Sequence, residues 1–166
     1  MVDHESDAVP GITVTRRADA QVRVVKGGNH VTTLLPAPAA DGSMDAIVVR
    51  ADPGGGPPPH RHEFGEWFHV LEGALEITTA EDGEIVPLAT ASAGDSVWVP
   101  PNAWHGTVNT SGDQVRFLVV GVPGVMTGYF EQAGVPVPDE SSEPTESPPG
   151  PDELGHLPER FGITFF

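Results

Sequence analysis

Three side chains that bind transition metals well lie within one short stretch of the sequence. His60, His62 and Glu66 have the same parity, and a β-strand points alternate side chains to one face, so this spacing predicts that the three converge. Two imidazoles and a carboxylate suit zinc, iron, manganese, nickel or copper. A site of this kind needs a further ligand, and His105 offers one at the end of a second strand-like stretch, residues 95–105.

The other histidines carry weaker signals. His69 lies one residue after Phe68, and Phe68 has the parity of Glu66, so we expect His69 to point to the opposite face of the strand. An isolated histidine is more often a structural or surface residue than a ligand. We expect this of His4, His30, His69 and His156.

Composition limits the class of protein. A chain of 166 residues predicts one domain with a real core, and its 20 glycines and 18 prolines predict many turns and short strands. The absence of cysteine excludes disulfides, thiolate nucleophiles and cysteine-based metal sites. No apolar run approaches the length of a membrane span, and the first residues lack a signal-peptide pattern. We therefore expect a soluble, cytoplasmic protein with no membrane partner.

The charge balance disfavours phosphate-bearing partners. The net charge is −16, and Lys26 is the one lysine beside seven arginines. Such a surface repels a phosphate backbone, so we expect no nucleic-acid partner. The same scarcity of basic residues disfavours sugar phosphates as substrates.

Short alternating segments separated by turns predict an all-β fold. Strands that recur at intervals of roughly 8–12 residues favour a sandwich or a small barrel over a parallel sheet. We expect this barrel, with an N-terminal arm over residues 1–10, to occupy residues 1–123. The predicted strands cover residues 21–26, 30–35, 44–51, 66–71, 74–79, 84–88, 96–99, 104–109 and 115–122.

The chain changes character after Pro123. Residues 124–134 carry an apolar stripe of helical period, which predicts a short helix packed as a lid on the barrel mouth. Residues 135–151 hold six prolines and several carboxylates, which predicts an extended linker. Residues 152–166 are apolar again, and we expect this segment to dock on its own barrel or on a partner subunit.

Two longer patterns contain the candidate ligands, and they resemble the two sequence motifs of the cupin family. In the second pattern Asn102 stands where glycine is usual. Asparagine tolerates the positive φ that this turn requires, so we expect Asn102 to adopt it. The patterns are Gly54-x5-His60-x-His62-x3-Glu66-x6-Gly73 and Gly94-x5-Pro100-x-Asn102-x2-His105-x3-Asn109.

This resemblance implies an all-β cupin double-stranded β-helix, a jelly-roll barrel, with short C-terminal helices. It also implies one divalent transition metal per chain, which could be Fe, Mn, Ni, Co, Cu or Zn because the same ligands accept all of them. The implied metal ligands are His60, His62, Glu66 and His105.

Within the family, residues 66–73, 93–105 and 128–136 resemble the single-domain, quercetin-dioxygenase-like cupins. This implies a metal-dependent dioxygenase for a small aromatic or enolic, flavonol-like substrate, with Glu66 as the catalytic acid–base group. The alternatives are a non-redox metal cupin, such as a polyketide cyclase or isomerase, and a non-catalytic cupin that binds a small molecule. We also expect a homodimer. The candidate pocket residues are Phe68, Val97, Val99 and Phe117.

Overall fold

The computed structural model describes residues 11–166, so the predicted N-terminal arm with His4 lies outside the described residues. Within 11–166 no helix is both long and apolar enough to cross a membrane. The helices are α1 (Met126–Ala133) and α2 (Leu157–Arg160), with single 3-10 turns at Ala37–Ala40 and Pro151–Glu153. The strands are β1 (Val22–Val25), β2 (Asn29–Leu35), β3 (Asp45–Ala51), β4 (His60–His62), β5 (Gly65–Glu72), β6 (Ala74–Glu81), β7 (Glu84–Ser92), β8 (Ser96–Val99), β9 (Gly106–Val108), β10 (Val115–Val122), β11 (Val135–Val137) and β12 (Ile163–Phe165).

The strands form a jelly-roll-like β-sandwich, which confirms the all-β prediction. The largest sheet has seven strands in the order β11-β1-β2-β3-β10-β5-β8. A three-stranded sheet, β7-β6-β9, and a two-stranded sheet, β12-β4, complete the architecture. All strand pairs are antiparallel, as expected for strands joined by short turns.

Strand β10 shows how the sequence pattern builds the core. Val115, Phe117 and Val119 are buried and alternate with more accessible residues, because successive side chains of a strand face opposite sides of the sheet. On its two edges β10 pairs with β3 and β5. The inner side chains of these strands pack with Leu75 and Ile77 of β6 in one hydrophobic cluster.

Two turns adopt the backbone that their residue types predict. Gly73 joins β5 to β6 with φ 77°, and a Cβ at this position would lie 2.9 Å from Cγ2 of Val115, so both conformation and space require glycine. Asn102 has φ 65°, which confirms the prediction for this residue. Its backbone N–H donates to the carbonyl of His62 at 2.7 Å, so this turn is tied to the strand that carries two candidate ligands.

Helix α1 lies within the range where the apolar stripe predicted one, and β3 fixes its first turn. The buried carboxylate of Asp45 accepts hydrogen bonds from the Thr127 backbone N–H at 2.7 Å and from the Thr127 hydroxyl at 3.1 Å. A carboxylate in this position satisfies one of the free N–H groups at a helix start. The contact anchors α1 to the large sheet.

Part of the predicted linker is structured. Residues Val135–Val137 form β11, an edge strand paired with β1, and an edge strand can accommodate Pro136. Farther along, the Glu140 carboxylate accepts a hydrogen bond from the Thr32 hydroxyl at 2.8 Å and lies 3.3 Å from the Arg116 guanidinium. These contacts hold the proline-rich stretch against the outside of the large sheet.

The C-terminal segment docks on its own barrel. Strand β12 pairs with β4, so that Ile163 lies opposite His62 and Phe165 lies opposite His60. The chain end therefore supports the short strand that carries two candidate metal ligands.

Candidate metal centre

Three separate elements bring the candidate ligands together. His60 and His62 lie on β4, Glu66 lies on β5, and His105 directly precedes β9. The shared parity of the first three predicted that they lie on one strand, but a bend at residues 63–64 divides that stretch between two sheets. His105 reaches the site because its backbone exchanges two hydrogen bonds with that of His60, at 2.8 and 2.9 Å.

The four ligand atoms lie close enough to share one ion. One donor atom from each of His60, His62, Glu66 and His105 lies within 4.8 Å of the other three. Oε2 of Glu66 is 3.0 Å from Nε2 of His62 and 3.1 Å from Nε2 of His105. The structure thus assembles the four residues that the two motifs predicted as ligands.

Backbone carbonyl groups orient all three imidazole rings. Nδ1 of His60 lies 2.8 Å from the Pro58 carbonyl oxygen, and Nδ1 of His62 lies 2.7 Å from that of Phe64. Nδ1 of His105 lies 3.0 Å from the carbonyl oxygen of Ala103. A carbonyl only accepts, so each neutral ring carries its proton on Nδ1 and leaves the lone pair of Nε2 free as a metal donor.

The charges inside this cluster fit a bound cation. With the proton on Nδ1, Nε2 of His62 faces Oε2 of Glu66 as one acceptor facing another. In the described part of the chain this buried nitrogen has no hydrogen-bond partner. A divalent cation among the three nitrogens and the carboxylate would relieve this repulsion. Imidazole and carboxylate donors suit a divalent transition metal, and four protein ligands leave positions open on an ion that takes five or six.

Burial and neighbouring groups keep the donors in the forms that bind metal. Burial, with a contribution from His105, lowers the pKa of His60 to about 4. Burial alone would raise the pKa of Glu66, but the adjacent His105 and His62 side chains outweigh it and lower this pKa to about 2. At neutral pH the Glu66 side chain is therefore a carboxylate and the His60 ring is neutral.

A largely apolar cavity of about 140 Å³ opens onto the ligands. Phe68 and Phe117 line it, as the sequence analysis expected, and their rings meet edge to face at 6.1 Å. Val97 and Val99 do not line it. They lie on β8, where Val99 is buried in the core cluster and Val97 packs against that cluster.

Much of the cavity wall comes from residues that were not among the predicted pocket residues, although residues 124–134 were expected to lie over the barrel mouth. Helix α1 contributes Tyr129 and Phe130, and β12 contributes Ile163 and Phe165. The Phe165 ring lies 5.8 Å from that of His60. The apolar stripe at 124–134 and the apolar chain end were visible signals, but neither one indicates which cavity its side chains enter.

The histidines expected to be structural or superficial lie away from this centre wherever the structure describes them. His69 contacts the Ser96 hydroxyl through Nδ1 at 2.9 Å and stacks on Trp67. His30 contacts the carbonyl oxygen of Ser142, and His156 is exposed. Parity alone thus separated His69 from the ligands.

Comparison with known proteins identifies a cupin region in the chain. Residues 47–121 match the family described as Cupin domain, a range that contains both motifs. Among curated protein sequences none matches significantly.

Solved structures share this fold. The polyketide cyclase RemF from Streptomyces resistomycificus is 25% identical, with a TM-score of 0.57 over 67% of this chain and 79% of that one. An RmlC-like cupin from Shewanella frigidimarina is 22% identical, with a TM-score of 0.55 over 67% and 90% of the two chains. An oxalate decarboxylase from B. subtilis is 20% identical, with a TM-score of 0.58 over 74% and 33%.

These likenesses show that the jelly roll is of the cupin type, as the resemblance of the motifs implied. The match therefore identifies residues 47–121 as similar to a Cupin domain, and the shared fold agrees with it.

Proposed function

We propose that this protein is a metal-dependent dioxygenase that acts on a small aromatic or enolic substrate. The observation that carries the proposal is a cluster of three histidine nitrogens and one carboxylate beside an apolar cavity, which is lined by His60, His62 and Glu66. The Nε2 atoms of His60, His62 and His105 would hold the metal, together with Glu66. A redox-active ion bound there would supply Lewis acidity and electron transfer to O₂.

Glu66 is suited to move the substrate proton. Both of its histidine contacts use Oε2, which leaves Oε1 to accept a proton from an enol or phenol. The carboxylate is ionised at neutral pH because its pKa is lowered to about 2. Glu66 would thus serve both as a ligand and as the base.

The cavity wall would position the substrate and keep water away from it. Phe68, Phe117 and Phe165 present aromatic surface beside the ligands. A cavity of about 150 Å³ accommodates one benzene ring, so a volume of about 140 Å³ suits a single ring or an enol of that size. A larger flavonol-like substrate would leave part of its body in the mouth.

A non-redox cupin reaction, such as polyketide cyclisation, is the second candidate. It is favoured by the similarity to RemF, at 25% identity. The volume of the cavity favours a smaller substrate than a folded polyketide chain. Zinc would support this chemistry, whereas oxygenation requires a metal that changes oxidation state.

Oxygen uptake tests the proposal. The protein would be reconstituted separately with Fe, Mn, Co, Ni, Cu and Zn, and each form would be offered a flavonol and a set of smaller enols and phenols. We expect uptake with at least one redox-active metal and none with zinc. The His105→Ala variant should lose both the uptake and stoichiometric metal, because one of four ligands is missing, whereas the matched control His69→Ala should keep both.

Oxygen uptake by the metal-free protein would contradict the proposal. Stoichiometric metal with no uptake in any form would also reject it, and turnover of an enolic substrate by the zinc form would then favour the second candidate.

A further inference from the structure

The polar groups of the cavity fall into two sets. The first set is His60, His62 and Glu66, three of the four candidate metal ligands. Outside them, the lining contains one charged side chain, Lys26, and two uncharged polar ones, Asn29 and Tyr129, and every other lining residue is apolar. A substrate that enters this cavity therefore meets very few groups that can recognise its polar atoms.

Lys26 stands at the cavity mouth. It lies at the turn between β1 and β2, and Lys26 and Pro58 are the exposed residues of the lining. Pro58 is adjacent in structure to the candidate metal centre, because its carbonyl oxygen contacts His60. A molecule that passes between these two residues comes within reach of the ligands.

The Lys26 ammonium has no ion-pair partner among residues 11–166. The two carboxylates near this turn are engaged elsewhere. Asp52 accepts a hydrogen bond from the Gln114 amide at 2.8 Å, and Glu153 accepts one from the Gly150 backbone N–H at 2.8 Å. In a chain of net charge −16, the one lysine thus places at the entrance a positive charge that forms no ion pair with residues 11–166.

Two further groups in the same cavity have unused hydrogen-bonding capacity. Asn29 is 2% exposed, and its Oδ1 has no hydrogen-bond partner among residues 11–166. A buried amide oxygen left unpaired is unfavourable, and a proton donor on a ligand would supply the missing partner. The Tyr129 hydroxyl makes no hydrogen bond within the described part of the chain, and burial raises its pKa to about 12, so it remains a donor.

We propose that the substrate is a carboxylic acid whose apolar or aromatic body fills the cavity while its carboxylate pairs with Lys26 at the mouth. This inference rests on the proposed function in treating the cavity as the substrate site. A single ammonium suits a carboxylate, whereas a phosphate is usually bound by several donors. Tyr129 donates to a second oxygen of the substrate, and Asn29 accepts from a hydroxyl group.

Calorimetric binding of matched acid and amide probes tests this assignment. The zinc-loaded full-length protein would be titrated with benzoate, phenylacetate and 3-phenylpropionate, and with the amide of each. We expect at least one acid to bind more tightly than its amide, by about fivefold, which corresponds to a partly exposed ion pair. High salt should reduce this preference.

Three variants separate the contributions of Lys26, of overall charge and of Tyr129 to probe binding. Lys26→Gln should abolish the preference for the acid and leave amide binding unchanged. Arg160→Gln, which removes an exposed positive charge from a residue outside the cavity lining, should preserve the preference. Tyr129→Phe should weaken the acid and the amide alike, since both carry a carbonyl oxygen that the hydroxyl can reach.

Several results would overturn the proposal. Equal binding of every acid and its amide, or no binding of any probe, would show that the mouth does not select carboxylates. If Lys26→Gln still binds the acid more tightly than the amide, the carboxylate binds the metal instead of Lys26. If Arg160→Gln also loses this preference for the acid, the preference reflects the overall charge of the protein. Oxygen uptake is measured separately, so the protein could fail this test and still be a dioxygenase.

Discussion

Each ligand histidine is oriented by a backbone carbonyl within two residues of it in the sequence. The acceptors belong to Pro58, Phe64 and Ala103. Because each histidine contacts a nearby backbone carbonyl, no second side chain is needed to fix its tautomer. The short turns around β4 and β9 place these carbonyl groups. This explains why the motif residues suffice to build the donor set even though no side-chain partner of the histidines could be recognised from the sequence.

The titration of this cluster predicts how the metal-free protein responds to acid. The pKa values of His60 and Glu66 are lowered from 6.5 and 4.5 to about 4 and about 2. The unfolded chain therefore takes up protons at higher pH than the folded chain does. The contribution of His60 to stability is complete above pH 6.5 and is lost as the pH falls toward 4. That of Glu66 is lost as the pH falls from 4.5 toward 2.

We expect the Tm of metal-free protein, measured by calorimetry, to fall as the pH is lowered from 6.5 to 4. The slope of Tm against pH should be shallower in His60→Ala. It should be unchanged in His156→Ala, which alters an exposed histidine. An equal slope in wild type and His60→Ala would show that other groups account for the loss of stability.

At the scale of elements, the ligand strand β4 has only three residues and depends on its neighbours. It pairs with β12 along its length, and the carbonyl of His62 accepts from the N–H of Asn102. Residues near the C-terminus therefore hold two ligands that lie about a hundred positions earlier in the chain. A substitution that disrupts β12 should therefore lower the affinity for metal without altering any ligand.

The substitution Thr164→Pro tests this dependence. Thr164 is exposed and lies opposite Arg61, between the two ligands of β4, and proline cannot donate a ladder hydrogen bond. We expect zinc affinity to fall about tenfold, as it does when groups that support metal ligands are removed. Competition with a fluorescent chelator would measure it, and Thr164→Ala, which keeps the N–H, is the control. Unchanged affinity in the proline variant would mean that β4 keeps its geometry without β12.

At the scale of the whole molecule, one face of the large sheet is suited to self-association. Strand β8 is an edge strand with no outer neighbour among residues 11–166, and Trp98 on it is 56% exposed. On β5, Trp67 lies opposite Trp98 and is 36% exposed. Exposed aromatic surface beside an unpaired edge is typical of an interaction site, so we propose that a homodimer forms through this face.

Light scattering coupled to gel filtration should give twice the 17.4 kDa mass of the chain at micromolar concentration. Trp98→Glu should shift the protein to a monomer, because it places a charge in the proposed interface. Leu88→Glu, at an exposed position on β7 of the other sheet, should leave the dimer intact. A monomeric wild type would remove the proposal, and dissociation by Leu88→Glu alone would move the interface to the other sheet.

The sequence by itself determined the features that depend on local chemistry. Alternation within strands such as β10 predicted the inner faces, and the same parity rule separated His69 from the ligand set. The spacing of the two motifs predicted the four residues of the metal centre, and the residue type at Asn102 predicted a positive φ. Each of these follows from residues that are close in sequence or from a motif that contains them.

Only the tertiary structure decided how distant segments meet. The bend at 63–64, which divides the ligands between β4 and β5, and the pairing of β12 with β4 both depend on strand register across long separations. Val97 and Val99 were expected to line the pocket, but an inward-facing strand residue can meet either the cavity or the packed core, and these two meet the core. Which side chains line the cavity depends on where α1 and the chain end pack, and that is decided by the long-range contacts of the folded chain.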